Sequence, residues 1–175
     1  VPRNAAYQHG ISEKTQILTG SPSSKQGDTC AGSIWTPNGH LKVLCCIDSG
    51  ASWACCSLKL FSFLQEQNAV VDIPNSNPII HFESVSGFTR SDNAISNHGV
   101  IKLELVEGHP LHVLVCALPS MRLHDLVIGI GGEANPLCDA LGFVKINTTR
   151  GEMAWFRHIG HGVPLWTNSA TDEFR

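Results

Sequence analysis

Leu41-Lys42-Val43-Leu44-Cys45-Cys46-Ile47-Asp48-Ser49-Gly50-Ala51-Ser52 is the stretch on which the reading of this chain turns. Residues 41–47, apolar except for Lys42, form a run of the length and composition of a buried strand. The run ends abruptly at Asp48, a carboxylate held at the tip of a rigid element. Ser49 supplies a hydroxyl that can hydrogen-bond sideways and steady the turn. Gly50 lets backbone, or a bound molecule, come close. These residue types suit a carboxylate that does chemistry, and they equally suit an Asp-capped turn after a strand. The Asp-Ser-Gly-Ala string occurs once. Chemistry that needs two facing carboxylates would have to take the second from another copy of the chain.

Working outward, the signals are mainly β. Gly32–Pro37 runs into Asn38-Gly39, a hairpin dipeptide, and His40–Ile47 is the returning strand. Ser57–Asn68 has helical composition with Ser57 at the N-cap position, and Leu60, Phe61 and Leu64 can share a face. The breakers Pro74, Asn75, Asn77 and Pro78 precede a strand at Ile79–Ser86. A polar turn at 87–93 follows, and Ala94–His98 returns. Gly99–Val106 and Leu111–Ala117 read as strands joined by Glu107-Gly108-His109-Pro110. His124–Ile130 is a short apolar strand ending in glycine-rich backbone. Glu133–Leu141 reads as a short helix stopped by Gly142, and Phe143–Asn147 with Glu152–Phe156 as a last hairpin.

The ends differ in character. Residues 1–27 are polar and read as a flexible lead-in with one short strand signal at Thr15–Thr19. Residues 157–175 read as a C-terminal tail, which leaves 28–156 as the folded domain. A chain that starts at Val1 is expected to be a segment cut from a longer one. Hydrophobic residues make up 42% and charged residues 15%, which places the middle of the chain among globular domains. The net charge is −3 and no two Lys or Arg are adjacent, so no basic cluster exists to bind a nucleic-acid backbone. No apolar stretch reaches the ~20 residues of a membrane span.

The seven cysteines, Cys30, Cys45, Cys46, Cys55, Cys56, Cys116 and Cys138, are an odd number with two adjacent pairs, a poor disulfide framework. They read as reduced core residues and point to a reducing compartment. Cys-x-x-Cys spacing is missing, so no metal and no other cofactor is expected. The histidines read as solvated loop residues. Asp125 precedes an apolar strand and reads as an exposed or capping residue.

Three segments together resemble a known family. They are Val43–Ser52 with its Asp-Ser-Gly-Ala, the Val85-Ser86-Gly87-Phe88 turn region, and His124-Asp125-Leu126-Val127-Ile128-Gly129-Ile130-Gly131. In this order they resemble the retropepsins, the dimeric aspartic proteases of retroviruses and long-terminal-repeat retrotransposons. The resemblance covers roughly residues 30–156. It implies a mainly β fold: a closed β-barrel subunit with one short C-terminal helix and a flap hairpin, paired by a two-fold axis into a homodimer. It implies that Asp48 is the catalytic acid, with Ser49, Gly50 and Ala51 supporting the loop. Ser86, Gly87, Phe88 and Thr89 would lie on a substrate-binding flap between about Ser84 and Ser96. Val127, Ile128 and Gly129 would be structural, packing beneath the catalytic loop.

The activity so implied is cleavage of peptide bonds in a viral or retrotransposon polyprotein, with an extended peptide as substrate, in the cytoplasm or inside virus-like particles. Nucleic acid and membrane are not expected partners. The chain departs from the family pattern at three places. Gly131 stands where many relatives carry Asp, Ile130 stands where some carry Arg, and Ser52-Trp53 replaces an acidic pair that some members use to hold substrate backbone. Two other functions fit parts of the sequence: a retropepsin-fold dimerisation or peptide-binding module of a cellular protein, and a small cysteine-based redox or metal domain.

Overall fold

A computed structural model describes residues 28–49, 54–71, 98–118, 124–131, 135–149 and 151–166. The strand-like stretch that ends at Asp48 is β2 (Gly39–Asp48), and it pairs antiparallel with β1 (Thr29–Thr36) from Thr29↔Cys46 to Thr36↔Gly39. The two-residue loop is Pro37-Asn38, one position earlier than the Asn38-Gly39 signal suggested. Gly39 instead opens β2 at φ 119°, a conformation open to glycine. The Thr36 hydroxyl closes the turn, donating to the Gly39 carbonyl at 2.6 Å and accepting from the Asn38 N–H at 3.2 Å.

Along β2, Leu41, Val43, Cys45 and Ile47 enter the core cluster. Leu44, Cys46 and Asp48 take the opposite face by the two-residue period. Leu44 and Cys46 are also buried, at 1% and 8% exposure. Burial on both faces explains why β2 reads as an unbroken apolar run and not as an alternating one.

After the Asp48 loop the chain forms β3 (Ala54–Ser57) and passes directly into α1 (Leu58–Glu66). Ser57 caps this helix, its hydroxyl accepting from the Leu60 N–H at 3.1 Å. Leu60, Phe61, Phe63 and Leu64 are its buried face. Beyond α1, Val71 docks on Val100 through two backbone hydrogen bonds of 2.9 Å. Gly99 permits this approach, because a Cβ there would strike the Val70 side chain and the Val71 carbonyl.

The remaining elements are β4 (His98–Glu104), β5 (Pro110–Leu118), β6 (Leu126–Gly129), α2 (Pro136–Leu141), β7 (Phe143–Thr148), β8 (Gly151–Phe156) and β9 (His161–Pro164). Six strands close a barrel in the order β1-β2-β6-β3-β5-β4, with β4 returning to β1 at Ser33↔Glu104 and Ile34↔Leu103. The last three form a separate antiparallel sheet, β7-β8-β9. The fold is therefore mainly β, with a closed six-stranded barrel and two short helices among the described residues.

The domain limit drawn at Phe156 falls too early. His161–Pro164 pairs with β8 from Phe156↔His161 to Met153↔Pro164, and Leu165 is buried at 1% exposure. Trp166 then pairs with Thr29, donating to its carbonyl at 2.8 Å and accepting its N–H at 3.0 Å. The segment reads as tail because Gly162 and Pro164 break strand patterns, yet an edge strand tolerates both. The 1–27 lead-in, including Thr15–Thr19, lies outside the described residues, as does the whole of 72–97.

Candidate active site

Asp48 is the last residue of β2 and Ser49 follows it into the loop; Asp48 is half-buried and Ser49 exposed. Gly50 and Ala51 lie outside the described residues, as do Ser86, Gly87, Phe88 and Thr89. What fixes Asp48 is β6. This strand runs parallel to β2, in the register Cys45↔Leu126, Cys46↔Val127, Ile47↔Ile128 and Asp48↔Gly129. On its other side it runs antiparallel to β3 through Cys55↔Val127 and Cys56↔Leu126. The two strands that flank the Asp48 loop are thus separated by a third strand from some seventy residues later in the chain.

The pairing reaches the end of the strand. The Ile130 N–H donates to the Asp48 carbonyl at 3.0 Å. Gly129, directly opposite Asp48, is itself held from behind: the Asn135 amide donates to its carbonyl at 3.2 Å. Asn135 is fixed in turn as the N-cap of α2, its Oδ1 accepting from the Leu137 N–H at 2.9 Å and the Cys138 N–H at 3.4 Å. Pro136 occupies the first turn and Gly142, at φ 68°, closes the helix. Val127, Ile128, Gly129 and Asp48 are therefore neighbours in one patch of sheet. Asn135 belongs with them, and its signal was present in the sequence as an Asn-Pro pair at a helix start.

Thiols surround this patch. Cys46 precedes Asp48 by two residues on the same face, and Cys55 lies across β6. Burial pushes both thiols up, Cys55 to about 12, with Cys116 and Asp48 adding to the effect. For Cys46 burial is again the largest cause, followed by the charges of Asp28 and Asp48. Six of the seven cysteines are buried, Cys138 is exposed, and all seven are free thiols. Such protonated, enclosed thiols are poor nucleophiles.

Two expectations need correction. Asp125 is buried, at 3% exposure, and not at the surface. Its Oδ2 accepts the Leu44 N–H at 2.8 Å, and its own N–H donates to the Leu44 carbonyl at 2.9 Å. The carboxylate completes the β2–β6 pairing where β6 has not yet begun. His124 is buried as well, at 7% exposure, with Nε2 2.9 Å from the Thr29 hydroxyl. It joins Asp28 and Cys46 in a group whose potential ligand atoms lie within 4.8 Å of one another. Sequence spacing could not reveal it, since the three come from separate parts of the chain: just before β1, within β2 and just before β6.

No protein-family model matches this chain, and no curated protein is significantly similar to it in sequence. Among the described residues no helix is long and apolar enough to cross a membrane.

Proposed function

We propose that this chain is an aspartic endopeptidase of the retropepsin type, active as a homodimer in which two Asp48 carboxylates face each other across a two-fold axis. The observation that carries this reading is the insertion of β6 between β2 and β3. It sets Gly129 opposite Asp48 and ties the Asp48 backbone to Ile130, so that the carboxylate stands at a braced strand end and outside the apolar core. Asp48 and the Val127-Ile128-Gly129 segment lie far apart in sequence and meet at this point.

In the dimer, two carboxylates a few ångströms apart cannot both be ionised cheaply, so the pair keeps one proton. The ionised member takes a proton from a bound water, which attacks the scissile carbonyl. The protonated member donates to the carbonyl oxygen. Ser49, at the exposed side of the loop, ties the two loops across the axis. An extended peptide lies along the cleft, with main-chain hydrogen bonds giving affinity and alternate pockets giving specificity. The substrate is a polyprotein of a virus or retrotransposon.

The test is cleavage of an unstructured polypeptide library by the wild type and by Asp48→Asn, with the oligomeric state followed by analytical ultracentrifugation. Asn keeps the shape of the side chain but cannot shuttle a proton. The wild type should cut, with activity falling faster than linearly on dilution through the dimer dissociation range. Asp48→Asn should be folded, dimeric and inert. Near-wild-type turnover by the variant, or full activity from a monomer, would contradict the proposal. A folded dimer that binds peptides and never cuts them would mark a binding module.

A further inference from the structure

We propose that Asp28, Cys46 and His124 form a binding site for a single zinc-like divalent ion, separate from the chemistry assigned to Asp48. The three residues enter the cluster from the start of β1, from β2 and from the approach to β6. The donor set is one carboxylate, one thiol and one imidazole, with all potential ligand atoms within 4.8 Å of one another. A tetrahedral zinc ion with bonds of about 2.0–2.3 Å needs its ligand atoms about 3.3–3.8 Å apart, so the widest pair closes by up to roughly 1 Å on binding. Sulfur and nitrogen donors together select zinc and similar borderline metals over magnesium or calcium, which prefer oxygen.

The enclosure also fits. Cys46 and His124 are 8% and 7% exposed, whereas Asp28 is half-buried and leaves one side open to solvent. A fourth ligand can come from water there. The groups are already gathered by hydrogen bonds. The Cys46 thiol donates to Asp28 Oδ2 at 3.6 Å. The Thr29 hydroxyl donates to Asp28 Oδ1 at 2.8 Å and lies 2.9 Å from His124 Nε2. Backbone bonds hold the scaffold, with the Ile47 N–H donating to the Asp28 carbonyl at 2.8 Å and the Asp28 N–H to Trp166 at 3.0 Å.

Binding exchanges one particle for another. The Cys46 S–H bond breaks, its proton goes to solvent, and the thiolate sulfur donates an electron pair to the metal. The imidazole donates a lone pair from one ring nitrogen and remains neutral, and Asp28 ligates as a carboxylate. A thiol that must release its proton to ligate binds the ion more tightly as the proton becomes easier to lose. Affinity therefore rises with pH. The bound ion would pin β1, β2 and β6 together just two residues behind the Asp48 end of β2.

The experiment is titration of the reduced, metal-stripped full chain with Co²⁺ and then Zn²⁺. The expected result is one equivalent of Co²⁺ with a thiolate-to-cobalt charge-transfer band, displaced by Zn²⁺, and a melting temperature that climbs with free Zn²⁺. Cys46→Ser should remove the band. Asp28→Asn and His124→Gln should each weaken binding by at least about tenfold, the scale seen even for groups one shell further out. Cys138→Ser, which alters the exposed thiol, should bind as the wild type does. The proposal is overturned if saturating Co²⁺ gives no thiolate band, or if the band survives Cys46→Ser. Should Cys46→Ser fail to fold, unchanged affinity in Asp28→Asn overturns it equally. None of these readouts involves peptide cleavage, so the metal site and the protease reading succeed or fail separately.

Discussion

Asp125 illustrates how a carboxylate near a candidate catalytic motif can be occupied by architecture. It sits four residues before Gly129, about 13 Å away along the strand, and both its side chain and its backbone are bound to Leu44. Asp125→Ala would leave the buried Leu44 N–H without its partner and should lower stability by roughly 1–3 kcal/mol. Asp125→Asn keeps an acceptor at the same place and should recover most of that. Urea denaturation of the two variants checks this, and equal losses in both would mean that charge, not the hydrogen bond, matters there. The sequence could not show this role, because the partner is a backbone amide eighty-one residues away. Cys46 and His124 were opaque for the same reason. Their types were visible, their convergence was not. Asp48 was legible because its signal is local: an apolar run, an acid, a hydroxyl and a glycine in consecutive positions.

Among the elements, those with strong local chemistry were read correctly. α1 has its Ser57 cap and a cluster of large apolar residues, and α2 is stopped by Gly142 as expected. A Cβ at Gly142 would press on the His158 ring, so its positive φ and its close packing both call for glycine. β3 and β9, each of four residues, escaped notice because they gain their order from neighbours: β3 from β5 and β6, β9 from β8. The start of α2 was placed three residues early, at Glu133, although Asn135-Pro136 carries the stronger cap signal. Asn135 joins two elements, since it caps α2 and holds the Gly129 carbonyl. Asn135→Ala should therefore cost more than the ~1 kcal/mol usual for a lost cap, by the further loss of a buried hydrogen bond of about 1 kcal/mol. Asn135→Ser keeps a capping oxygen but is too short to reach Gly129, and should fall between. Thermal denaturation of the pair separates the two contributions, and identical behaviour of Ser and wild type would show that the Gly129 bond is energetically silent.

Over the whole molecule, the notable chemical fact is how many thiols the fold encloses. Burial raises Cys30, Cys45 and Cys56 above the ordinary value of 9.0, Cys30 and Cys56 to about 12 and Cys45 well above 9.0. Folded thiols thus hold their protons more tightly than unfolded ones. Below pH 9.0 both states are protonated and the fold keeps its full stability. Above it the unfolded chain releases protons that the folded chain retains, so stability falls with rising pH until the folded thiols themselves titrate. Each such thiol contributes a slope of up to about 1.4 kcal/mol per pH unit in that window. Urea midpoints should be level on the neutral side and drop steeply on the alkaline side, with Cys56→Ala dropping less steeply than the wild type. A midpoint that stays level well above the ordinary thiol range would contradict this. The barrel as a whole was legible only as a class: strand signals predicted a mainly β fold and the closed barrel was implied only by the resemblance, while strand order depends on pairings that no local pattern encodes.

The position of β6 also sets a timetable. The hairpins β1–β2 and β4–β5 join residues near in sequence and can form early, whereas β6 must travel from the far end of the domain to enter between β2 and β3. Contacts of such long sequence separation are the slow ones to form. Until β6 arrives, β2 and β3 present bare edges to one another, and the nascent chain is at its most adhesive. Pulse-labelled hydrogen exchange during refolding should protect the β1–β2 amides first and the Ile130 amide, bonded to Asp48, among the last. A protein ordered in this way has no fixed place for Asp48 while it is still being made; the end of β2 is braced only once β6 has arrived.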